Sequence, residues 1–147
     1  MIIPPIFEFG TVNVDDSGVP GKERIVFRPT EPINLAQCGL LIGWREPTGA
    51  ITPLNERFFW FGEITVTPPC WIVVYTGKGQ FKQTVHEKTG HPVYFYYWGN
   101  DTTIFNVREA VPVLFKIAGI QIGGHLKQVQ TFEEFRLKQL IQPPQVR

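Results

Sequence analysis

Two dense apolar runs, Trp71–Tyr75 and Val93–Trp98, dominate the pattern of hydrophobic and polar positions along the chain. β-Branched and aromatic residues fill both runs, which is the composition of strands. Between them, Gln80–Glu87 alternates imperfectly between apolar and polar residues, and turn residues separate the three segments. The pattern predicts a β-meander in which one more turn leads to a fourth strand, Thr102–Val107.

A hairpin is predicted before the meander. Ile6–Val14 and Lys22–Arg28 alternate in the manner of strands, and the turn-forming segment Asp15–Gly21 lies between them. Ile25 and Phe27 share one face of the second strand, and Arg24, Val26 and Arg28 share the other, so this strand is expected to have one solvated side.

The remaining segments differ in how clearly they indicate structure. Phe58–Thr67 alternates strongly and predicts an aromatic strand, and Ala110–Ile122 predicts a long strand bent near Gly119. Leu35–Trp44 is apolar with two glycines and fits either a buried strand or an irregular segment. Arg45–Arg57 has the composition of a loop.

A capping box predicts a helix near the C-terminus. The Thr131 hydroxyl is placed to accept from the amide of Glu134, whose carboxylate reaches back to the amide of Thr131. Pro143 and Pro144 would end the helix. A rough apolar stripe follows the cap: Phe132, Phe135, Leu140 and Ile141.

These elements predict a mainly β protein, a single domain over residues 1–147. We expect an antiparallel barrel or a two-sheet sandwich of about eight strands, with one short C-terminal helix that covers an opening or an edge.

Composition and charge narrow the class of protein. The 147 residues include 14 Lys and Arg against 13 Asp and Glu, a formal net charge of +1. No basic run exists, so neither duplex nucleic acid nor an anionic membrane is an expected partner. No apolar run approaches the length of a membrane span, and the N-terminus lacks the features of a signal peptide. A soluble, cytoplasmic protein without a cofactor is therefore expected.

Cys38 and Cys70 are the only cysteines. Their spacing matches no zinc motif, and apolar residues surround both. They are expected to be buried free thiols.

No catalytic motif is present. Ser17 is the only serine, and it lies in a turn rather than in Gly-x-Ser-x-Gly. Glu63 shares a predicted strand face with Phe59 and Phe61, and a carboxylate among aromatic residues could act as a general acid, with Glu8, Glu109 or Asp101 as its partner. This would make the protein a small hydrolase or lyase with its site in the mouth of a barrel. The favoured alternative is that the Glu63 face meets solvent at a sheet rim.

His86 and His91 flank a turn, so a hairpin there would bring the two imidazoles together near Glu87. Two histidines and a carboxylate suit a transition metal. The spacing matches no established metal motif, and a solvated turn with two surface histidines is favoured.

Tyr94, Tyr96 and Trp98 project from one face of a predicted strand and combine apolar area with hydrogen-bonding tips. The opposite face carries the more apolar set, Val93, Phe95 and Tyr97. Either the first set is exposed and binds a partner, or both faces are buried. The sequence does not decide between these alternatives.

Scarce charge and abundant aromatic residues favour a non-enzymatic binding or interaction protein that forms a homo-oligomer. The face of Tyr94, Tyr96 and Trp98 is the first expected interface, and that of Phe59 and Phe61 the second. A small-molecule or peptide ligand is the other use of the same face. A structural subunit of a larger assembly is a further alternative.

Overall fold

The computed structural model describes residues 5–54 and 58–141. Strands make up most of the regular structure, and the one α-helix of the described residues lies near the C-terminus, as predicted. A 3₁₀ turn, Leu35–Gln37, precedes β4, and the α-helix is α1, Phe132–Ile141. The strands are β1 Asn13–Asp15, β2 Arg24–Phe27, β3 Ile33–Asn34, β4 Cys38–Arg45, β5 Ile51–Pro53, β6 Phe59–Trp60, β7 Thr65–Val66, β8 Trp71–Tyr75, β9 Lys82–Val85, β10 Pro92–Tyr97 and β11 Ala110–Lys116.

The strands form three sheets. The largest has five strands in the order β1-β2-β8-β10-β9. The second has the order β11-β4-β5, and β6 also pairs with β4; β3 and β7 form a small third sheet. None of the sheets built from the described residues closes into a barrel.

The predicted meander is wrong in its strand order. β8 and β10 are neighbours and run parallel, and β9 lies outside β10 and antiparallel to it. The connection from β8 to β9 therefore skips a strand position. It passes close to β10 at Gly79, where a Cβ atom would lie 2.4 Å from the Tyr97 ring. Gly79 thus allows a close crossing, whereas the sequence alone indicates only a turn.

Two predicted strands are shorter or absent. Thr102–Val107 is an irregular segment, because its backbone is bound by side chains rather than by a neighbouring strand. The strand predicted for Ala110–Ile122 ends at Lys116, after which the described chain pairs with no strand.

The aromatic strand predicted over Phe58–Thr67 is divided. Its first part, β6, pairs with β4, and its second part, β7, pairs with β3. Gly62 lies between them with φ +80°, a left-handed conformation that interrupts an extended strand. The chain therefore turns from one sheet to another within this segment.

The apolar stretch that begins at Leu35 becomes mostly strand: β4 is eight residues long and lies in the interior of the second sheet. β11 flanks it and tolerates Pro112 because it is an edge strand. The predicted loop from Arg45 contains β5, which forms a hairpin with β4. Residues 55–57 of that loop lie outside the described part of the chain.

One core cluster lies against the sheets. The hairpin of β1 and β2 is confirmed, although its first strand covers Asn13–Asp15 rather than the predicted Ile6–Val14. Ile25 and Phe27 are buried on one face of β2. The larger sheet also contributes Ile72 and Val74, and Leu40 comes from β4. Rings of Phe9 and Phe61 pack edge-on against Phe27, at 5.3 and 5.8 Å between centroids.

A buried carboxylate holds the irregular segment after β10. Glu23 is 1% exposed and lies just before β2. Its Oε1 accepts from the Thr76 hydroxyl at 2.8 Å and from the amide of Ile104 at 2.7 Å. Its Oε2 accepts from the amides of Gly18 at 2.7 Å and Phe105 at 3.1 Å. One side chain therefore joins the first hairpin, the end of β8 and this segment.

The capping box of α1 is confirmed: the Glu134 amide donates to the Thr131 hydroxyl at 3.2 Å, and the Glu134 carboxylate accepts from the Thr131 amide at 3.1 Å. The expectation that the helix covers an edge is wrong, because every residue from Thr131 to Leu140 is exposed. The predicted stop at Pro143 and Pro144 lies outside the described residues. The helix found in the described chain is too short and too polar to cross a membrane.

Replacing Glu23 by Ala is expected to destabilise the protein by about 2–4 kcal/mol, because buried amide donors would lose their acceptor. Glu23→Gln, which keeps one acceptor oxygen, should lose less. Urea denaturation measures both. Glu87→Ala removes an exposed carboxylate from a turn and is the control; equal midpoints for Glu23→Ala and Glu87→Ala would contradict the role of Glu23.

Thr131→Ala is expected to weaken α1 by about 1 kcal/mol, since the cap loses its acceptor. Because the helix is exposed along its length, the unfolding midpoint of the sheets should not change. Amide hydrogen exchange should show faster exchange in the first turn of α1 alone. A lowered global midpoint would show that the helix packs on the body.

Candidate functional site

Tyr94, Tyr96 and Trp98 face the core. Their exposed fractions are 7%, 6% and 6%, so the alternative in which this set is presented to a partner is wrong. The other face of β10 is the partly open one, with Phe95 and Tyr97 half-buried. The first set points inward because it packs in an aromatic layer at the end of the core. In this layer the Phe59 ring lies 5.7 Å from that of Tyr96 and 5.8 Å from that of Trp98, measured between centroids.

Four of the residues predicted from the sequence nevertheless meet at one groove. Phe59, Phe61 and Glu63 reach it from β6 and the link to β7, and Tyr96 reaches it from β10. The groove encloses about 420 Å³. Its remaining lining is also largely aromatic or apolar: Trp60, Gly62, Ile64, Phe81 and Tyr97.

The base of the groove is a set of edge-to-face ring contacts. Phe61 meets Phe59 and Tyr96, both at 5.1 Å between centroids. Phe81 lies over Tyr96 at 4.8 Å and is 50% exposed, so it forms a wall that water still reaches. Burial raises the pKa of Tyr96 to about 12, with a smaller contribution from Tyr94.

An apolar sheet face borders this groove. On β4, Gly39 leaves space for the ring of Phe115 from β11: a Cβ on this glycine would lie 2.5 Å from that ring. Phe115 is flanked edge-on by Phe58 at 5.5 Å and by Trp60 at 5.9 Å. Sequence reasoning missed Phe115, because its neighbours come from a distant segment of the chain.

The face continues along the same strands. Gly43 leaves space for Ile51 of β5 and for Val113 of β11, which lie on the outer side of the sheet with Phe115. Phe58 is 58% exposed, Trp60 51% and Ile51 40%. Trp60 also lines the groove. We call the whole area the aromatic surface: Phe58, Trp60, Phe115, Val113, Ile51, and the groove walls Phe81 and Tyr97.

A larger cavity than this groove lies elsewhere. It encloses about 670 Å³ between Trp44 and the irregular segment after β10, which contributes Asn100, Thr102, Thr103 and Asn106. Asp101 also lines this cavity, so amides, hydroxyls and one carboxylate offer hydrogen bonds to a polar group there. Glu63 is not part of its lining, so the polar cavity and the predicted acid are separate.

Glu63 itself is exposed at the rim of the groove, in agreement with the favoured sequence alternative. None of the predicted partners Glu8, Glu109 or Asp101 lines the groove with it. Glu8 instead pairs with Lys116, whose hydrogen bond lowers the pKa of the Glu8 carboxyl. Asp101 pairs with Lys78 at 2.6 Å.

His86 and His91 flank a hairpin turn closed by the His86 amide, which donates to the His91 carbonyl at 2.8 Å. The Nδ1 atom of His86 accepts from the amide of Lys88 at 3.3 Å and so orders the turn. Across residues 5–54 and 58–141, no three His, Cys, Asp or Glu side chains form a group that could hold a metal ion.

Cys38 and Cys70 are free and buried, as predicted. Burial raises the pKa of the Cys38 thiol to about 11 and raises that of Cys70. Both are therefore protonated near neutral pH and are poor nucleophiles.

Comparison with known proteins gives no relative: no family model, no curated protein and no solved structure matches the chain.

The phenol of Tyr96 provides a test of the groove's burial. Its pKa is about 12 in the folded protein against 10 for the free group, so the unfolded chain ionises first as pH rises. The contribution of the Tyr96 phenol to the free energy of unfolding is complete below pH 10 and is lost as the pH rises towards 12. Urea unfolding across this interval should show a steeper loss for the unmodified protein than for Tyr96→Phe. Parallel losses in the two proteins would contradict the buried phenol.

Proposed function

We propose that this protein is a non-enzymatic interaction protein that associates with further copies of itself through the aromatic surface. In this proposal the two larger sheets are the layers of a sandwich, and the aromatic surface covers the outer side of the second layer. The observation that carries the proposal is the exposure of Phe58 and Trp60 beside the half-buried Phe115.

The composition of the surface supports association. Phenylalanine and tryptophan rings that share one flat face are enriched in interface cores, and charged residues are depleted there. Among the strand residues of this sheet, the charged residue on the same side as Phe115 is Arg45, at the end of β4. Contiguous exposed apolar area of this kind is unusual on a protein that stays monomeric.

The hydrolase or lyase alternative has weaker support. A general acid needs a dry environment to raise its pKa and a second group to share the chemistry. Glu63 is exposed, and none of the other described residues lining the groove is an Asp or Glu. The groove therefore suits contact with apolar side chains better than acid–base chemistry.

Sedimentation velocity over a range of concentrations is the direct test. The unmodified protein is expected to form a dimer or a higher oligomer. Trp60→Glu should weaken association by about 10- to 100-fold, because a charge placed at a buried aromatic contact loses its hydration without a partner. Circular dichroism would show that the variant keeps its sheets.

Val85→Glu is the matched control. Val85 is 61% exposed, but it lies on β9 at the far edge of the other sheet. It should associate like the unmodified protein. A concentration-independent monomer for the unmodified chain, or equal loss in both variants, would contradict the proposal. A charge at Tyr96 or Trp98 should instead unfold the protein, since both lie in the core.

A further inference from the structure

The chain after β11 forms an exposed apolar arm. Every residue from Ala118 to Leu140, which we call the C-terminal arm, is exposed. Its large apolar side chains are among the most exposed of the described residues: Ile122 is 85% exposed, Leu126 fully, Phe132 74% and Leu140 76%. Large apolar side chains have a lower free energy against an apolar surface than in water, so burial of this segment would be favourable.

We infer that the C-terminal arm of one copy binds the aromatic surface of another copy, an inference that rests on the self-association proposed above. Each copy has two exposed apolar areas that could form such a contact. One is the C-terminal arm, and the other is the aromatic surface. The other large apolar residues that are exposed on the body, such as Phe7, Val19 and Val85, are scattered and form no comparable surface.

The position of the arm fits a contact between copies. The amide of Ile117 donates to the carbonyl of Gln37 at 2.7 Å, which fixes the start of the arm beside β4. From there the arm leaves the body at the border of the aromatic surface, next to Phe115, and does not fold back over it. A second copy is therefore the partner that can supply the missing cover.

The chemistry of the arm fits the same surface. Phe132 and Phe135 supply rings for edge-to-face contacts with Trp60 and Phe115. Lys127 and Arg136 provide cations for Glu63, the carboxylate at the rim of the groove. A segment of one chain that places apolar side chains into an apolar groove of another is a recurrent mode of recognition between chains.

Two outcomes of assembly follow from symmetry. If two copies exchange arms reciprocally, the contact closes as a dimer. If each arm binds the next copy in one direction, rings or open chains form. The mass in solution distinguishes these outcomes, and either one is compatible with the arm-on-surface contact.

A mixing experiment tests the inference with the full chain. Phe132→Glu damages the arm and leaves the surface intact, whereas Trp60→Glu damages the surface and leaves the arm intact. Each variant alone is expected to associate about 10- to 100-fold more weakly than the unmodified protein. Mixed in equal amounts, they should form a complex, because an intact arm then meets an intact surface. Both substitutions add the same charge, so attraction between them would not create the complex.

Val85→Glu is again the control for an added charge, since this residue lies on β9, outside both the C-terminal arm and the aromatic surface. It should associate like the unmodified protein. If Phe132→Glu also does so while Trp60→Glu does not, the surfaces meet each other directly and the arm inference is wrong, although the proposed function stands. Loss in both variants without recovery on mixing also overturns the arm contact. A monomeric unmodified protein overturns both proposals.

Phe58→Glu replaces Trp60→Glu if the latter fails to fold, because Phe58 has the larger exposed fraction and precedes β6. The same recovery on mixing is expected, and its absence would again overturn the inference.

Discussion

The Glu23 carboxylate is the interaction on which the arrangement of the two larger sheets depends. Removing a carboxylate from water is unfavourable unless donors replace the water, and here three amides and one hydroxyl do so. Two of the amides, from Ile104 and Phe105, belong to the segment that leads from β10 to β11. Phe105 is buried beside them. The carboxylate therefore fixes the path by which the chain leaves the first sheet and enters the second, where Phe115 reaches the aromatic surface.

Glycine positions determine how the aromatic residues pack. Gly79 lets the connection from β8 to β9 pass against Tyr97, and Gly39 lets Phe115 lie flat on β4. Gly62 turns the chain between β6 and β7. Before it, Phe59 and Trp60 lie on opposite sides of β6, Phe59 towards the core and Trp60 towards solvent. At Gly79 and Gly39 a side chain would occupy space that an aromatic ring now uses. The aromatic surface therefore depends on glycines, which leave space for the rings, as well as on the rings themselves.

The sequence predicts most of the elements that depend on local chemistry. The runs that became β8 and β10, the first hairpin and the capping box of α1 were all found, because composition and hydrogen-bonding residues specify them locally. The order of strands was not found, since a turn such as Thr76–Gly79 fits a crossing as well as a hairpin. The orientation of β10 was not found either, because Tyr96 and Tyr97 are equally suited to both faces. Of the site, Phe59, Phe61, Glu63 and Tyr96 were predicted and do converge.

Two sheet edges, β11 and β9, carry residues that oppose pairing with another chain. The aromatic surface carries no comparable residues, and this difference indicates how the protein associates. β11 carries Pro112, which has no amide hydrogen to offer to another strand. At the far edge of the larger sheet, β9 carries Lys82, whose charge discourages pairing with another chain, beside Gln83, Thr84 and Val85. Edge pairing at β11 and at β9 is thereby disfavoured. The outer side of the second sheet has no such protection, and it lies where the C-terminal arm begins. Contact through side chains on that face is the form of association that these features leave open.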